Sequence, residues 1–257
     1  PDKIRLTLKS DKETAKPGDH VSINVDAEFL FGAKAADLKW ETDIQLQHRS
    51  FYSKEYPRFD FTRSSIKNPT IDNTMLDGTL DAKGQATIGY DIPKDVISGG
   101  VITGTAYVSV FDLTGRTITR NVSFDIFPKD YFIGINAPGY YFGTNDKLEF
   151  QFVAVNPDDK PINNFRATAK LVRFEWQTVL KKDNSGRYYY ASEQKPIDEW
   201  QRNVEINGPT PFSFSVSRSG RYELRISKQG NSDYVSKTFY AYGWGTSTAS
   251  SFEIYKC

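Results

Sequence analysis

His20 and His48 are the only imidazoles in the chain, and Cys257, its last residue, is the only thiol. An imidazole could act as a general base or a metal ligand, and a thiolate as a nucleophile. Neither histidine has a carboxylate at ligand spacing. His20 falls on the wet face of an alternating segment and His48 at the end of another, so both are read as surface residues. One cysteine can build neither an internal disulfide nor a cysteine zinc site. No Gly-x-Ser-x-Gly elbow is present, so nucleophilic catalysis has no visible team. Carboxylates gather at Glu41 with Asp43, at Asp158 with Asp159, and at Glu193, Asp198 and Glu199 near Trp200. Two carboxylates facing each other across a cleft could cleave glycosides. Aspartates also collect in turns for local hydrogen bonding, and structural roles are the expectation here. Gly243-Trp244-Gly245 lies in a linker and not at a strand-to-helix turn, so it makes no phosphate cradle. No catalytic, cofactor-binding or metal-binding residue is assigned, no cofactor is expected, and the chain is read as non-enzymatic.

Rings are the other candidate chemistry. Tyr140-Tyr141-Phe142, Tyr188-Tyr189-Tyr190 and Trp200 could form a sugar-stacking platform. Consecutive residues on a strand point to opposite faces, so at most two of any three rings share one side. The expectation is core rings on one face and amphipathic cover on the other. Lys and Arg number 33 against 32 Asp and Glu. That balance lacks the basic excess a nucleic-acid binder needs. The densest basic stretch, Arg166 to Lys182, reads as the wet face of a strand pair. The Asn121-Val122-Ser123 sequon lies inside a strand. No apolar run is long enough to span a membrane and no leader opens the chain, which starts at Pro1. It is read as a piece of a longer protein.

The elements that would position these residues are short strands. Of the 257 residues, 14% are aromatic, a composition that leans to β. Val21, Ile23, Val25 and Ala27 alternate with His20, Ser22, Asn24 and Asp26, the period of a half-buried strand. Similar runs cover Ile4 to Leu8, Leu38 to Leu46, Ala86 to Tyr90, and Val101 to Phe111 turning at Asp112-Gly115 into Arg116 to Ile126. The segment Phe51 to Thr74, with Pro57 and Pro69, has no period and is read as a long loop or meander. After Pro128 the series resumes with Ile133 and Ile135, then Leu148 to Ala154, Ile162 to Val172, Val179 towards Tyr188–Tyr190, Phe212 to Val216, Tyr222 to Ile226 and Tyr234 to Tyr240. Glu193 to Trp200 is the one place where a helical turn is entertained.

A repeat organises this series. Shifted by 127 residues, Asp19 falls on Asp146, Val21 on Leu148, Ile23 on Phe150, Val25 on Phe152 and Ala27 on Ala154. The fold class is therefore all-β: tandem seven-stranded antiparallel β-sandwiches of fibronectin/immunoglobulin-like architecture. The divisions are 1–127, 128–243, and a Gly/Ser/Thr-rich 244–257 that enters a following domain.

The order of short matches gives a resemblance. Ser10-Asp11-Lys12, Pro17-Gly18-Asp19 and Leu30-Phe31-Gly32, then Gly78 to Pro93, Ser109 to Arg120, Phe150 to Ile162, Lys170 to Gln177, Ser219 to Ser227 and Tyr242 to Phe252, resemble consecutive macroglobulin-like domains of a bacterial α2-macroglobulin. Lys34 stands where that family often has Pro. The resemblance implies a large periplasmic protease trap: a bait segment is cut, the molecule rearranges, and a Cys-x-Glu-Gln thioester captures the protease. That motif is not in this sequence, so no family functional residue carries over. The expected partners are neighbouring domains of the parent chain and, for the intact parent, target proteases. The resemblance also implies a parent lipid-anchored to a membrane, the piece itself being soluble. The rival reading is an extracellular adhesion or carbohydrate-binding pair of sandwiches.

Overall fold

A computed structural model of the chain describes residues 4–243. Among the described residues there is no helix, and sixteen strands form four sheets. The chain divides into two compact units. One comprises residues 1–51 and 66–130; the other comprises 52–65 together with the chain from Tyr131 onward.

The first unit contains β1 (Ile4–Ser10), β2 (Thr14–Ala15), β3 (His20–Phe29), β4 (Lys39–Arg49), β5 (Thr74–Thr79), β6 (Gln85–Asp91), β7 (Val101–Phe111) and β8 (Thr117–Ile126). They form a three-stranded sheet, β1-β3-β6, and a five-stranded sheet, β2-β8-β7-β4-β5. The period-two faces do what alternation requires. Val21, Ile23, Val25 and Ala27 of β3 join Trp40, Ile44 and Leu46 of β4 and Ala106, Val108 and Val110 of β7 in one buried cluster. The β7–β8 hairpin closes on Asp112, whose Oδ1 accepts hydrogen bonds from the Thr114 hydroxyl (2.6 Å) and the amides of Thr114 (2.8 Å) and Arg116 (2.9 Å). The Thr114 hydroxyl is the chief cause that lowers the Asp112 carboxyl to about 2. Gly115 takes φ +81° there, a conformation glycine adopts without steric cost.

The second unit repeats the plan with β9 (Phe132–Asn136), β10 (Tyr141–Gly143), β11 (Leu148–Val155), β12 (Phe165–Lys182), β13 (Tyr188–Ile206), β14 (Thr210–Phe214), β15 (Gly220–Lys228) and β16 (Tyr234–Tyr242). Its sheets are β14-β11-β9 and β10-β16-β15-β12-β13, strand for strand the order of the first unit. Each unit thus holds seven antiparallel strands. An eighth, short strand, β2 or β10, pairs in parallel with the last strand of its unit. The core gathers Phe150, Phe152, Leu171, Tyr222, Leu224 and Phe239. Tyr222 stacks on Phe239 at 5.3 Å.

The 127-residue register holds through the first four strands of each unit and then slips. In the first unit β4 and β5 are separated by residues 50–73; in the second the corresponding chain extends β12 and β13 into one long hairpin. The helical turn entertained at Glu193 to Trp200 is a correction: those residues lie within β13, paired along β12. Hydrogen bonding to β12 along one side of this edge strand satisfies backbone groups that an isolated turn would leave open to water.

Candidate functional site

The residues singled out for chemistry are dispersed. His20 Nδ1 lies 2.7 Å from Asp91 Oδ1 on an exposed surface. His48 is used structurally: Nε2 donates to the Pro69 carbonyl at 2.7 Å, and Nδ1 meets the Ser98 hydroxyl at 3.0 Å. Asp43 accepts from Gln45 at 2.7 Å. Asn121 sits in β8. The acidic cluster near Trp200 is split among three cations of β12: Glu193 pairs with Lys181, Asp198 with Lys170 at 2.8 Å, and Glu199 with Arg173 at 2.5 Å. Among the described residues no group of three or more His, Cys, Asp or Glu could hold a metal ion. Trp244, Gly245 and Cys257 lie outside the described residues.

Two surfaces of the second unit stand out instead. The first is the outer face of the β9–β11 pair. β11 is not a simple alternating strand. Phe150, Phe152 and Ala154 face the core, yet Val153 and Val155 on the other side are also 0% exposed. Phe132, on the outer side of β9, is buried as well. The cover is the segment 52–65. Asp60 and Ile135 exchange backbone hydrogen bonds, both 3.0 Å, at the edge of β9. Phe61 then crosses above Gly134, where an added Cβ would come within 2.7 Å of its ring. Arg63, 4% exposed, donates through Nη2 to the Tyr131 carbonyl at 2.7 Å. Its guanidinium lies 5.1 Å from the centre of the Tyr131 ring and 5.6 Å from that of Phe132.

Charged groups pin the ends of this segment. Lys237 Nζ is 2.7 Å from Asp60 Oδ2. Burial pushes the Asp60 carboxyl up, but hydrogen bonds from Lys237 and Thr62 outweigh it and hold the group below the ordinary carboxylate range. The turn Asn156–Lys160 supplies the other anchor. Asn156 Oδ1 accepts from the amides of Asp158 (3.0 Å) and Lys160 (2.9 Å), and Asp159 adopts φ +61°. Asp159 Oδ2 accepts the amides of Lys54 (2.7 Å) and Glu55 (3.2 Å). The expectation that Asp159 is structural is therefore right in kind, but its partner lies more than a hundred residues away.

The sequence reading took Phe51 to Thr74 as loop and missed this docking. The signal was present. The unbroken apolar run Phe152-Val153-Ala154-Val155 marks a strand covered on both faces. The positions 127 residues earlier make the same point. Where the second unit has Phe132, Gly134, Val153 and Val155, the first has Arg5, Thr7, Asp26 and Glu28. There Arg5 and Glu28 form a water-exposed ion pair at 3.2 Å.

The second surface is the β12–β13 hairpin. Its pairing runs from Phe165↔Ile206 to Lys182↔Tyr188, with a register shift at Leu171/Val172. Beside that shift Arg173 is buried, held by Glu199 and by Glu175. Beyond it, even-numbered β12 residues face one way: Phe174, Trp176 and Leu180 stand opposite Pro196, Gln194 and Tyr190, and Lys182 stands opposite Tyr188. Trp176 is 59% exposed and Tyr190 78%. The other face carries Glu175, Gln177 and Lys181 opposite Lys195, Glu193 and Tyr189. At the root, one register row crosses the whole sheet: Tyr141, Tyr240, Arg221, Phe174 and Pro196. The Arg221 guanidinium sits 4.5 Å from the centre of the Phe174 ring. Of the candidate platform rings, Trp200 packs against Phe214 at 5.3 Å; Tyr188 and Tyr190 share the aromatic face and Tyr189 points away.

Comparison with known proteins assigns the two units. Residues 2–128 match the model of the bacterial α2-macroglobulin MG5 domain, and residues 134–244 match that of bacterial macroglobulin domain 6. The chain belongs to the bacterial α2-macroglobulin family. Among curated relatives, an α2-macroglobulin homologue of Nostoc sp. is 23% identical over 236 residues, covering 88% of this chain and 12% of its own. An α2-macroglobulin of Xylella fastidiosa is 23% identical over 232 residues, covering 88% of this chain and 14% of its own. The chain thus spans about an eighth of the length of these relatives. The native conformation of Escherichia coli α2-macroglobulin shares the fold, with a TM-score of 0.62 at 20% identity over 94% of this chain and 16% of that one. The same protein activated by porcine elastase gives 0.63 at 21% identity over 95% and 22%. Family membership agrees with the resemblance read from the sequence, and the macroglobulin-like sandwich with its fold class.

Proposed function

We propose that this chain supplies two successive scaffold domains, 1–127 and 128–243, of a bacterial α2-macroglobulin that traps proteases once its bait segment is cut. The tail 244–257, read from the sequence as a linker and the start of a following domain, lies outside the described residues. The observation that carries the reading is the tandem order of the two family matches, MG5 then domain 6, over nearly the whole chain. The repeated sheet order in both units supports it. In this reading the piece performs no chemistry. It works in the periplasm and holds neighbouring domains of its parent in place, and the parent, lipid-anchored to a membrane, meets the protease.

The test compares the fragment with the intact parent. Full-length parent mixed with elastase or trypsin should retain the protease through gel filtration and block its action on a large substrate. The fragment alone should leave protease activity unchanged. Stoichiometric inhibition by the fragment, or a parent that never retains protease, would overturn the reading.

A further inference from the structure

The outer face of β9–β11 has the makings of a recognition site. Three seats occur in sequence along it. The first is a cation, Lys237, beside the backbone edge of Ile135 that faces away from β11; it takes an acid whose own backbone pairs there. The second is the bare backbone of Gly134, which takes a ring because no side chain occupies the space. The third is the Tyr131 carbonyl with the Tyr131 and Phe132 rings, which takes a guanidinium. Asp60, Phe61 and Arg63 fill the three in order.

We propose that this face is a peptide-docking groove, occupied in cis by residues 59–63, that selects an extended segment carrying an acid, an aromatic ring and, two residues on, an arginine. Strand addition at an open sheet edge gives affinity through the backbone, and side-chain seats give selectivity. The acid end meets the Lys237 cation, and the arginine end meets a carbonyl oxygen and two ring faces. The occupant belongs to no named strand and joins β9 through a single bridge, so few backbone bonds hold it. Tethering at both ends raises its effective concentration to about the millimolar range, which keeps a free peptide out while the cis segment is intact.

The experiment uses the full 257-residue chain and a fluorescein-labelled peptide spanning residues 57–66. A chain carrying Asp60→Ala, Phe61→Ala and Arg63→Ala should bind the peptide at one to one. The unaltered chain should bind it at least tenfold more weakly. A peptide with Phe61→Ala, or a scrambled one, should lose at least tenfold against the altered chain. Adding Lys237→Met to the chain should weaken the native peptide while leaving a peptide with Asp60→Asn unaffected. Equal binding of scrambled and native peptides, or no binding by an altered chain that still unfolds cooperatively, would overturn the proposal. Should the triple variant not unfold cooperatively, the single Phe61→Ala chain serves. Added native peptide should then restore slow amide exchange in β9, and failure to restore it would equally overturn the proposal.

Discussion

Phe61 occupies the space that a side chain on Gly134 would need: a Cβ at that position would lie 2.7 Å from two carbons of the ring. The relation makes Gly134 a packing glycine, chosen for close approach and not for a turn.

Gly134→Val should therefore destabilise the second unit by about 1–3 kcal/mol, the usual cost of overpacking. Thr7→Val, at the corresponding place on the wet face of the first unit, should change stability by less than about 0.5 kcal/mol. Chemical denaturation of both variants checks the contrast; equal effects would mean that Phe61 swings away without cost.

Lys54, Arg58 and Arg63 offer trypsin three sites within 52–65. Docking should protect them, because cleavage needs a stretch of backbone released into the protease cleft. Phe61→Ala should expose them and speed cutting several-fold, as mass-mapped limited proteolysis would show. Rapid cutting of the unaltered chain within this segment would contradict the docked geometry.

Asp60 gives the docking a pH dependence. Its folded-state value lies below the ordinary 3.8, so it stabilises the fold above that pH. The contribution fades as pH falls through the lower, folded-state value. Asp60→Asn should lower stability at neutral pH and flatten its acid limb below about pH 4. Thermal unfolding from pH 7 down to pH 2 measures both effects. Asp112→Asn, in the other unit, should likewise remove a contribution that the unaltered chain holds at neutral pH and loses as pH falls through the Asp112 value of about 2.

Arg173 is a buried cation of the second unit, its side chain 6% exposed between Glu175 and Glu199. Glu199→Ala should cost about 1–3 kcal/mol because it removes a charged hydrogen-bond partner from a desolvated guanidinium. Arg173→Met combined with Glu199→Ala should recover part of that loss, since the desolvated guanidinium is gone and the Glu175 carboxylate it also paired with is half exposed to water. A double-mutant cycle in urea measures the coupling; additivity would show that Glu175 alone suffices.

What was legible in the sequence was local. Period-two alternation at Val21 to Ala27 and Leu148 to Ala154 located β3 and β11, and turn chemistry at Asp112-Gly115 located a hairpin. The 127-residue register exposed the doubling. What escaped was carried by distant partners. Phe61, Arg63 and Asp159 look unremarkable in their own neighbourhoods, because their meaning lies in Gly134, Tyr131 and Lys54. Glu193 to Trp200 misled because its charges and Pro196, along an exposed edge strand, carry no alternation; only pairing with β12 makes them a strand.

The segment 52–65 also has a consequence in time. During synthesis Phe61 emerges about 70 residues ahead of Gly134, an interval of about 4–15 s at ordinary elongation rates. Throughout it Phe59, Phe61 and Arg63 have no seat, though the strands on either side of them, β4 and β5, are ready to pair once made. The first unit must therefore close around a free loop and keep it presentable until β9 arrives. The loop therefore has two states to serve: a solvent-borne one, in which Arg58, Arg63 and its neighbouring hydroxyls interact with water, and a docked one, in which its rings pack.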